Sequence, residues 1–250
     1  MKLSAVIITF NEERNIRRCI ESLQGVADEV VVVDSYSTDG TRTIAESLGA
    51  RFIEHPFEGH IQQKNYALTC AQHEWILSLD ADEALDNTLR TSILEAKKSG
   101  SAPGYSMNRL TNYCGHWVRH CGWYPDTKVR LIKAGKGMWQ GTNPHDRLDL
   151  LDEQKATHLN GDILHYSYYK PEDHHKQIEY FGDIAARELF RKQRKISWIM
   201  VFVKVIVQFI KSYFLKLGIL DGATGWTISR MSAYATWRKY TKLKALYKHS

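Results

Sequence analysis

Three carboxylates stand within four residues at Asp80-Ala81-Asp82-Glu83, directly after the mostly apolar run Trp75-Ile76-Leu77-Ser78-Leu79. A short apolar run bounded by polar residues reads as a central strand covered on both faces. Ligands of open α/β sheets bind beyond the carboxyl ends of the strands, so acids at that point are placed to hold a divalent metal. The plainer reading is a helix N-terminus, with Asp82 and Glu83 favoured by the dipole of a following helix. What precedes the run favours the metal.

The preceding elements alternate. Lys2 to Thr9 is a β-branched run, and a helix with Ile16, Ile20 and Leu23 on one face follows it. Glu29 to Asp34 is a second strand ending on an acid, Ile44, Ala45 and Leu48 mark a helix, Arg51 to Glu54 is a short third strand, and Ile61 to Leu68 is helical. Four strands alternating with helices predict a mainly parallel, doubly wound α/β sheet. Asn11 or Glu12, Asp34 and Asp39 fall at strand ends and offer acceptors suited to a base or a ribose, while Lys64 could approach a phosphate. Taken singly, Asn11 and Asp39 are ordinary turn formers and Lys64 an ordinary helix-face residue. Neither Gly-x-Gly-x-x-Gly nor Gly-Lys-Ser/Thr occurs, so the backbone cradles that bind dinucleotides and triphosphates are missing. Neutralising a diphosphate would fall to a cation held at Asp80 and Asp82.

Four ordered segments, Val6-Ile-Ile-Thr-Phe-Asn-Glu-Glu13, Val32-Val-Asp-Ser-Tyr-Ser-Thr-Asp-Gly-Thr41, Gln63-Lys-Asn-Tyr-Ala67 and Leu79-Asp-Ala-Asp-Glu83, resemble the successive signatures of family 2 inverting glycosyltransferases of the GT-A fold. The resemblance implies a nucleotide-sugar donor, with Asn11, Glu12, Asp34, Asp39, Lys64 and Asp80 on the donor side. Glu12, Asp34 and Asp39 would contact uridine or ribose, Lys64 would lie near the diphosphate, and Asp82 would bind Mg²⁺ or Mn²⁺. Such a metal bridges the diphosphate and stabilises the charge that develops on it as the anomeric carbon is displaced.

Direct displacement also needs a base on the acceptor hydroxyl, because an alcohol is a poor nucleophile near neutral pH. In Trp139-Gln-Gly-Thr-Asn-Pro-His-Asp146 the candidate base is Asp146, where the related branch usually carries His-Glu, with His145 orienting base or acceptor. Asp126 is the second candidate. Gly122-Trp-Tyr-Pro-Asp126 and Val129-Arg-Leu-Ile132 resemble an acceptor-side segment of the same branch, which makes Trp123, Tyr124 and Arg130 acceptor-binding candidates. Core packing is the alternative for the two aromatics. His165, in the strand pattern Asp162 to Tyr168, matches a His that follows the base in many of these enzymes and is a second metal candidate. The spacings in Cys114-Gly-His-Trp-Val-Arg-His-Cys121 match no common structural zinc pattern.

Net charge is +6, but residues 191–250 hold 13 Lys and Arg against one acid, Asp221, leaving residues 1–190 net acidic. A cationic end on an acidic body suits an anionic lipid surface or a nucleic acid. Trp198 to Lys216 is apolar and aromatic but broken by Lys204, Gln208 and Lys211 on one helical face, a pattern that fits an interfacial helix better than a spanning one. Packing against the core or a second subunit is the alternative. A loop is expected over 218–226 and a last basic helix over 228–246. The Lys216-x-Gly-x-x-Asp-Gly-x-x-Gly225 segment resembles the lipopolysaccharide inner-core glycosyltransferases that add glucose to a heptose. That implies UDP-glucose as donor and a lipid-linked, phosphorylated oligosaccharide as acceptor.

The expected organisation is a nucleotide-sugar-binding half at 1–100, an acceptor-binding half at 101–170 and a basic amphipathic helical, membrane-associating extension at 171–250. Scattered cysteines and the absence of a signal-peptide pattern point to a reducing cytoplasmic setting, peripheral on the inner face of a bacterial cytoplasmic membrane. The competing classes are a nucleic-acid-binding protein, suggested by the sequence pI of about 9.0, and a membrane-bound scaffold without catalysis.

Overall fold

Along the first strand, β1 (Leu3–Thr9), Leu3, Ala5 and Ile7 enter one apolar layer and Val6 enters another, the two-residue repeat of a strand covered on both faces. The computed structural model describes residues 1–250 except 101, 143, 144, 153, 249 and 250. In it β1 pairs in parallel with β2 (Glu29–Asp34) and β4 (Trp75–Asp80), and β2 pairs in parallel with β3 (Arg51–Glu54). Helices α1 (Ile16–Ser22), α2 (Thr41–Ser47) and α4 (Asn87–Ser99) bring Ile16, Ile20, Ala45, Leu89 and Ile93 to one layer. On the other, Ala67 of α3 (His60–Thr69) packs with Trp139 and Leu148.

Beyond β4 the sheet turns antiparallel. Its full order is β3-β2-β1-β4-β8-β6-β11-β5, where β5 is Glu83–Leu85, β6 Gly104–Tyr113, β8 Asp126–Lys133 and β11 Thr157–Tyr168; β7 (His116–Trp117) pairs with β6. The sheet is parallel through its first four strands, as the alternating pattern predicts, and mixed as a whole. A separate hairpin joins β9 (Gly137–Thr142) to β10 (His145–Leu150). Asn65 on α3 pins that hairpin, donating to the Trp139 carbonyl at 2.9 Å and accepting from its N–H at 2.8 Å.

Two compact units make up the chain, residues 1–110 with 126–166 and residues 111–125 with 167–250. The second contains α5 (Pro171–Arg191), α6 (Trp198–Ile210), a π-helical turn (Lys211–Leu215), a 3-10 turn (Gly218–Asp221) and α7 (Gly222–Lys248). Glu179 of α5 is clamped by α7, accepting from Arg238 at 2.6 and 2.7 Å and pairing with Lys242 at 3.0 Å. The expected loop over 218–226 is instead the 3-10 turn and the first turn of α7. Its glycines serve close approach: a Cβ on Gly225 would fall 1.8 Å from the Gly218 carbonyl oxygen.

Candidate active site

Strand register puts the acids on one edge. Thr9 lies opposite Asp34 and Ile8 opposite Asp80, so the ends of β1, β2 and β4 finish together. Beyond them opens a cleft of about 650 Å³, lined by Thr9, Phe10, Glu12, Ser35, Phe57, His60, Gln63, Asp80, Asp82 and His165 among others. The chain makes no helix after the acids: Glu83 opens β5, which pairs with β11 so that His165 faces Glu83. The Tyr166 N–H then donates to the Asp82 carbonyl at 2.9 Å, and His165 Nε2 comes within 3.1 Å of Asp82 Oδ2. The N-cap of α4 is Asp86, which accepts from the Leu89 N–H at 2.6 Å. Helix capping therefore does not explain Asp82 and Glu83.

Burial would push the Asp80 carboxyl up, but Lys64 and Arg130 beside it hold it well below the usual carboxylate range. Asp82 is likewise pushed up by burial and brought below its ordinary value by His165, while Asp82 in turn raises His165 against the effect of its own burial. Glu12 is raised, first by burial and then by Asp82, Asp39 and Asp80, with the Asn15 side chain opposing. Two ionised carboxylates and a third acid under their repulsion make this end of the sheet a cation-attracting site. Beneath it Glu83, with no exposed side-chain surface, accepts from the Asp80 N–H at 3.0 Å and from Arg130 at 2.7 Å.

Among the described residues no group of three or more His, Cys, Asp or Glu side chains is gathered closely enough to enclose a metal by itself. Asp82 and His165 supply half a shell. Asp80 Oδ1 is buried and accepts no hydrogen bond from a described residue, although Lys64 Nζ stands 3.1 Å away. An oxygen- and imidazole-bearing half-site open to a cleft fits a hard divalent ion that takes its remaining ligands from water and from substrate phosphates.

Residues 4–134 match the family model described as glycosyl transferase family 2. The chain belongs to glycosyltransferase family 2. Over 98% of its length it is 32% identical to an uncharacterized glycosyltransferase of Rickettsia bellii, of which it covers 87%. Over the same share it is 26% identical to the lipopolysaccharide core biosynthesis glycosyltransferase LpsC of Rhizobium meliloti, of which it covers 95%. A crystal structure of glucosyl-3-phosphoglycerate synthase from Mycobacterium tuberculosis overlaps 44% of this chain and 44% of that one, with a TM-score of 0.38 and 22% identity. The chain thus spans less than half of that protein.

For this family 2 glycosyltransferase of GT-A fold, the structure distributes the expected site residues unevenly. Glu12, Asp80, Asp82 and His165 meet in the cleft. Asp34 is buried beneath it and accepts from the Ser37 N–H at 2.6 Å. Asn11 and Asp39 hold the loop after β2: Asn11 Oδ1 accepts from the Thr38 N–H at 2.8 Å, and Asp39 accepts from the N–H groups of Thr41 and Glu13 at 3.0 and 3.1 Å. Lys64 lies buried below the cleft floor, bridging Asp80 at 3.2 Å and Asp146 at 2.7 Å over the Trp139 ring. The expected base is thereby joined to the metal-side acid through one ammonium. Asp126, the second candidate, has both oxygens ion-paired, to Arg109 and Lys128. The side chain of His145 lies outside the described residues.

One expectation on the acceptor side needs correction. Arg130 presents nothing to an acceptor: it is 2% exposed, and its Nη2 donates at 2.7 Å to Glu83, whose buried carboxylate would be costly without it. Trp123 is half-buried and packs edge-on and tilted against Tyr113, Tyr168 and His174 with ring centroids 5.7 to 6.0 Å away, the core packing given above as its alternative. Tyr124, in the second unit with it, stacks under Arg119. Sequence reasoning left out Phe10, Phe57, His60 and Gln63, which line the cleft. The first was findable as the residue immediately past β1, and Phe10 and Phe57 stay more than half exposed although both are large and apolar.

Proposed function

We propose that the chain transfers a hexose, glucose before others, from a UDP-sugar to a lipid-linked lipopolysaccharide inner-core acceptor with inversion at the anomeric carbon. The observation that carries this reading is the meeting of Asp82 with His165 beside Asp80, at the joint end of three parallel strands and facing a cleft. Asp82 and His165 would hold Mg²⁺ or Mn²⁺, which when bound supplies positive charge against the diphosphate. Asp80 and the buried Glu83 fix the position of the Asp82 turn, Glu12 faces the nucleoside end, and the buried Asp34 holds the Ser37 loop beside it.

Asp146 is the general base. The Lys64 ammonium, 2.7 Å from Asp146 Oδ2, holds the carboxylate in place for accepting the hydroxyl proton. The likeness to a lipopolysaccharide core biosynthesis enzyme over almost the whole chain supports the acceptor class and a place at the cytoplasmic face of the membrane. Titration of UDP in the presence of Mn²⁺ tests the donor side. Asp82→Asn is expected to reduce that affinity at least tenfold, a loss of ~1.4 kcal/mol or more, and an unaltered affinity refutes the metal role. Asp146→Asn is expected to keep UDP binding and lose at least a hundredfold in turnover, the usual weight of a general base. Retained turnover would leave Asp146 only the task of placing Lys64.

A further inference from the structure

In the second unit, along α6 and the π-helical turn after it, only 11% of the residues of Trp198–Leu215 are buried. Val201 and Ser212 face inward, and the rings of Trp198 and Phe202 lie against Trp237 of α7 while Phe209 and Tyr213 lie against Trp226. By the helical repeat the opposite face carries Ile199, Val203, Ile206, Ile210 and Phe214, all exposed. The apolar surface continues past the helix through Leu215, Leu217, Ile219 and Leu220, at 49 to 73% exposure. A contiguous surface of this extent marks an interaction site.

Fraying does not explain it, since the turn is pinned from behind. Asp221, 7% exposed, accepts from the His120 N–H at 2.9 Å and pairs with His120 Nδ1 at 2.8 Å. A Cβ on Gly218 would meet Cys121 Sγ at 2.8 Å and the Ser212 carbonyl oxygen at 2.9 Å, so the chain is packed there to the backbone. Ile219 and Leu220 are held outward by a fixed turn.

Charge selects the partner. Arg191, Arg194 and Lys195 stand exposed before α6, and Lys204, Lys211 and Lys216 are exposed along it. Lys204 and Lys211 fall on one flank, between the packed and the outward faces. The one acid from 191 to 250 is the buried Asp221, so this stretch carries no acid of its own at the surface. Spanning is disfavoured because α7, against which α6 lies, is tied by Arg238 and Lys242 to Glu179 of α5 and could not enter hydrocarbon with it.

We propose that the outward face of α6 and the Leu215–Leu220 tip dock in the plane of an anionic membrane, apolar side chains among the acyl chains and lysines at the phosphates. This deepens the reading of a lipid-linked acceptor and rests on it only for the purpose of docking.

Flotation with vesicles of phosphatidylglycerol and phosphatidylethanolamine tests it, with UDP–Mn²⁺ titration run on the same proteins. The full chain is expected to float with these vesicles and far less with phosphatidylcholine. Ile199→Ser, Ile206→Ser and Leu220→Ser together are expected to lower partitioning by more than about a hundredfold, with UDP affinity unchanged. Lys204→Glu with Lys211→Glu, which alters no packed side chain, is expected to lower it by at least about fivefold per site. Undiminished flotation of both variants overturns the proposal. So does a parent that stays unbound and sediments as a dimer which the serine variant dissociates, for the face would then join two copies. Vesicle binding without UDP affinity would instead defeat the transferase reading and leave the docking face standing.

Discussion

Arg130 and Glu83 form the buried pair on which the acid turn stands, 2.7 Å apart with side chains 3% and 0% exposed. Glu83 also takes the Asp80 N–H, so the pair fixes the backbone that aims Asp80 and Asp82. Removing one partner of such a pair leaves a charge stranded in low dielectric, which costs about 3–5 kcal/mol. Arg130→Met is accordingly expected to lower unfolding free energy, by less than that full amount because Arg109 also stands 3.7 Å from Glu83, measured by urea denaturation. Adding Glu83→Leu should recover a large part of the stability, because the orphaned charge disappears, while metal-dependent UDP binding stays lost because Asp80 has lost its anchor. Additive losses in stability would mean that the two residues are not a coupled pair.

At the scale of elements, β1, β2 and β4 were legible because β-branched and apolar runs ended on polar residues. The three residues of β5 were not, since a strand that short carries no period and its partner β11 lies some eighty residues further on. That pairing brings His165 to Asp82, so the motif in the sequence picked out the acids and left their geometry open. Residue type misled for Arg130, where tertiary packing decided the role. Trp123 belongs to an aromatic cluster whose centre, His174, has consequences of its own. Burial first, then the nearby His175, brings the His174 imidazole down from 6.5 to about 4. The unfolded chain therefore takes up this proton before the folded one does. The stability it contributes is complete above about pH 6.5 and is lost as pH falls toward 4, up to ~3 kcal/mol. His174→Phe, which keeps a ring in the cluster, is expected to flatten that part of the urea-midpoint profile. A variant that declines in parallel with the parent would place the acid sensitivity elsewhere.

Over the whole molecule, charge is divided along the chain: the residues before 191 are net acidic, and those after it hold 13 cations and one acid. The two substrates proposed for this glycosyltransferase meet different parts of that distribution. The donor would sit among buried or half-buried groups, where Asp80 and Lys64 are shielded from bulk ions. A membrane-borne phosphorylated acceptor would first be gathered by exposed lysines and arginines. Salt discriminates between these, since the screening length falls from about 10 Å at 0.1 M to about 3 Å at 1 M and buried pairs are screened far less. Raising salt across that range is expected to increase KM for an acceptor presented in anionic vesicles by about tenfold or more. KM for the UDP-sugar at saturating Mn²⁺ should move by less than about twofold. With a soluble, truncated acceptor the salt effect should shrink, because the surface that concentrates the acceptor has been removed. If both KM values rise together, the basic end is serving the donor, and the separation of roles along the chain is wrong.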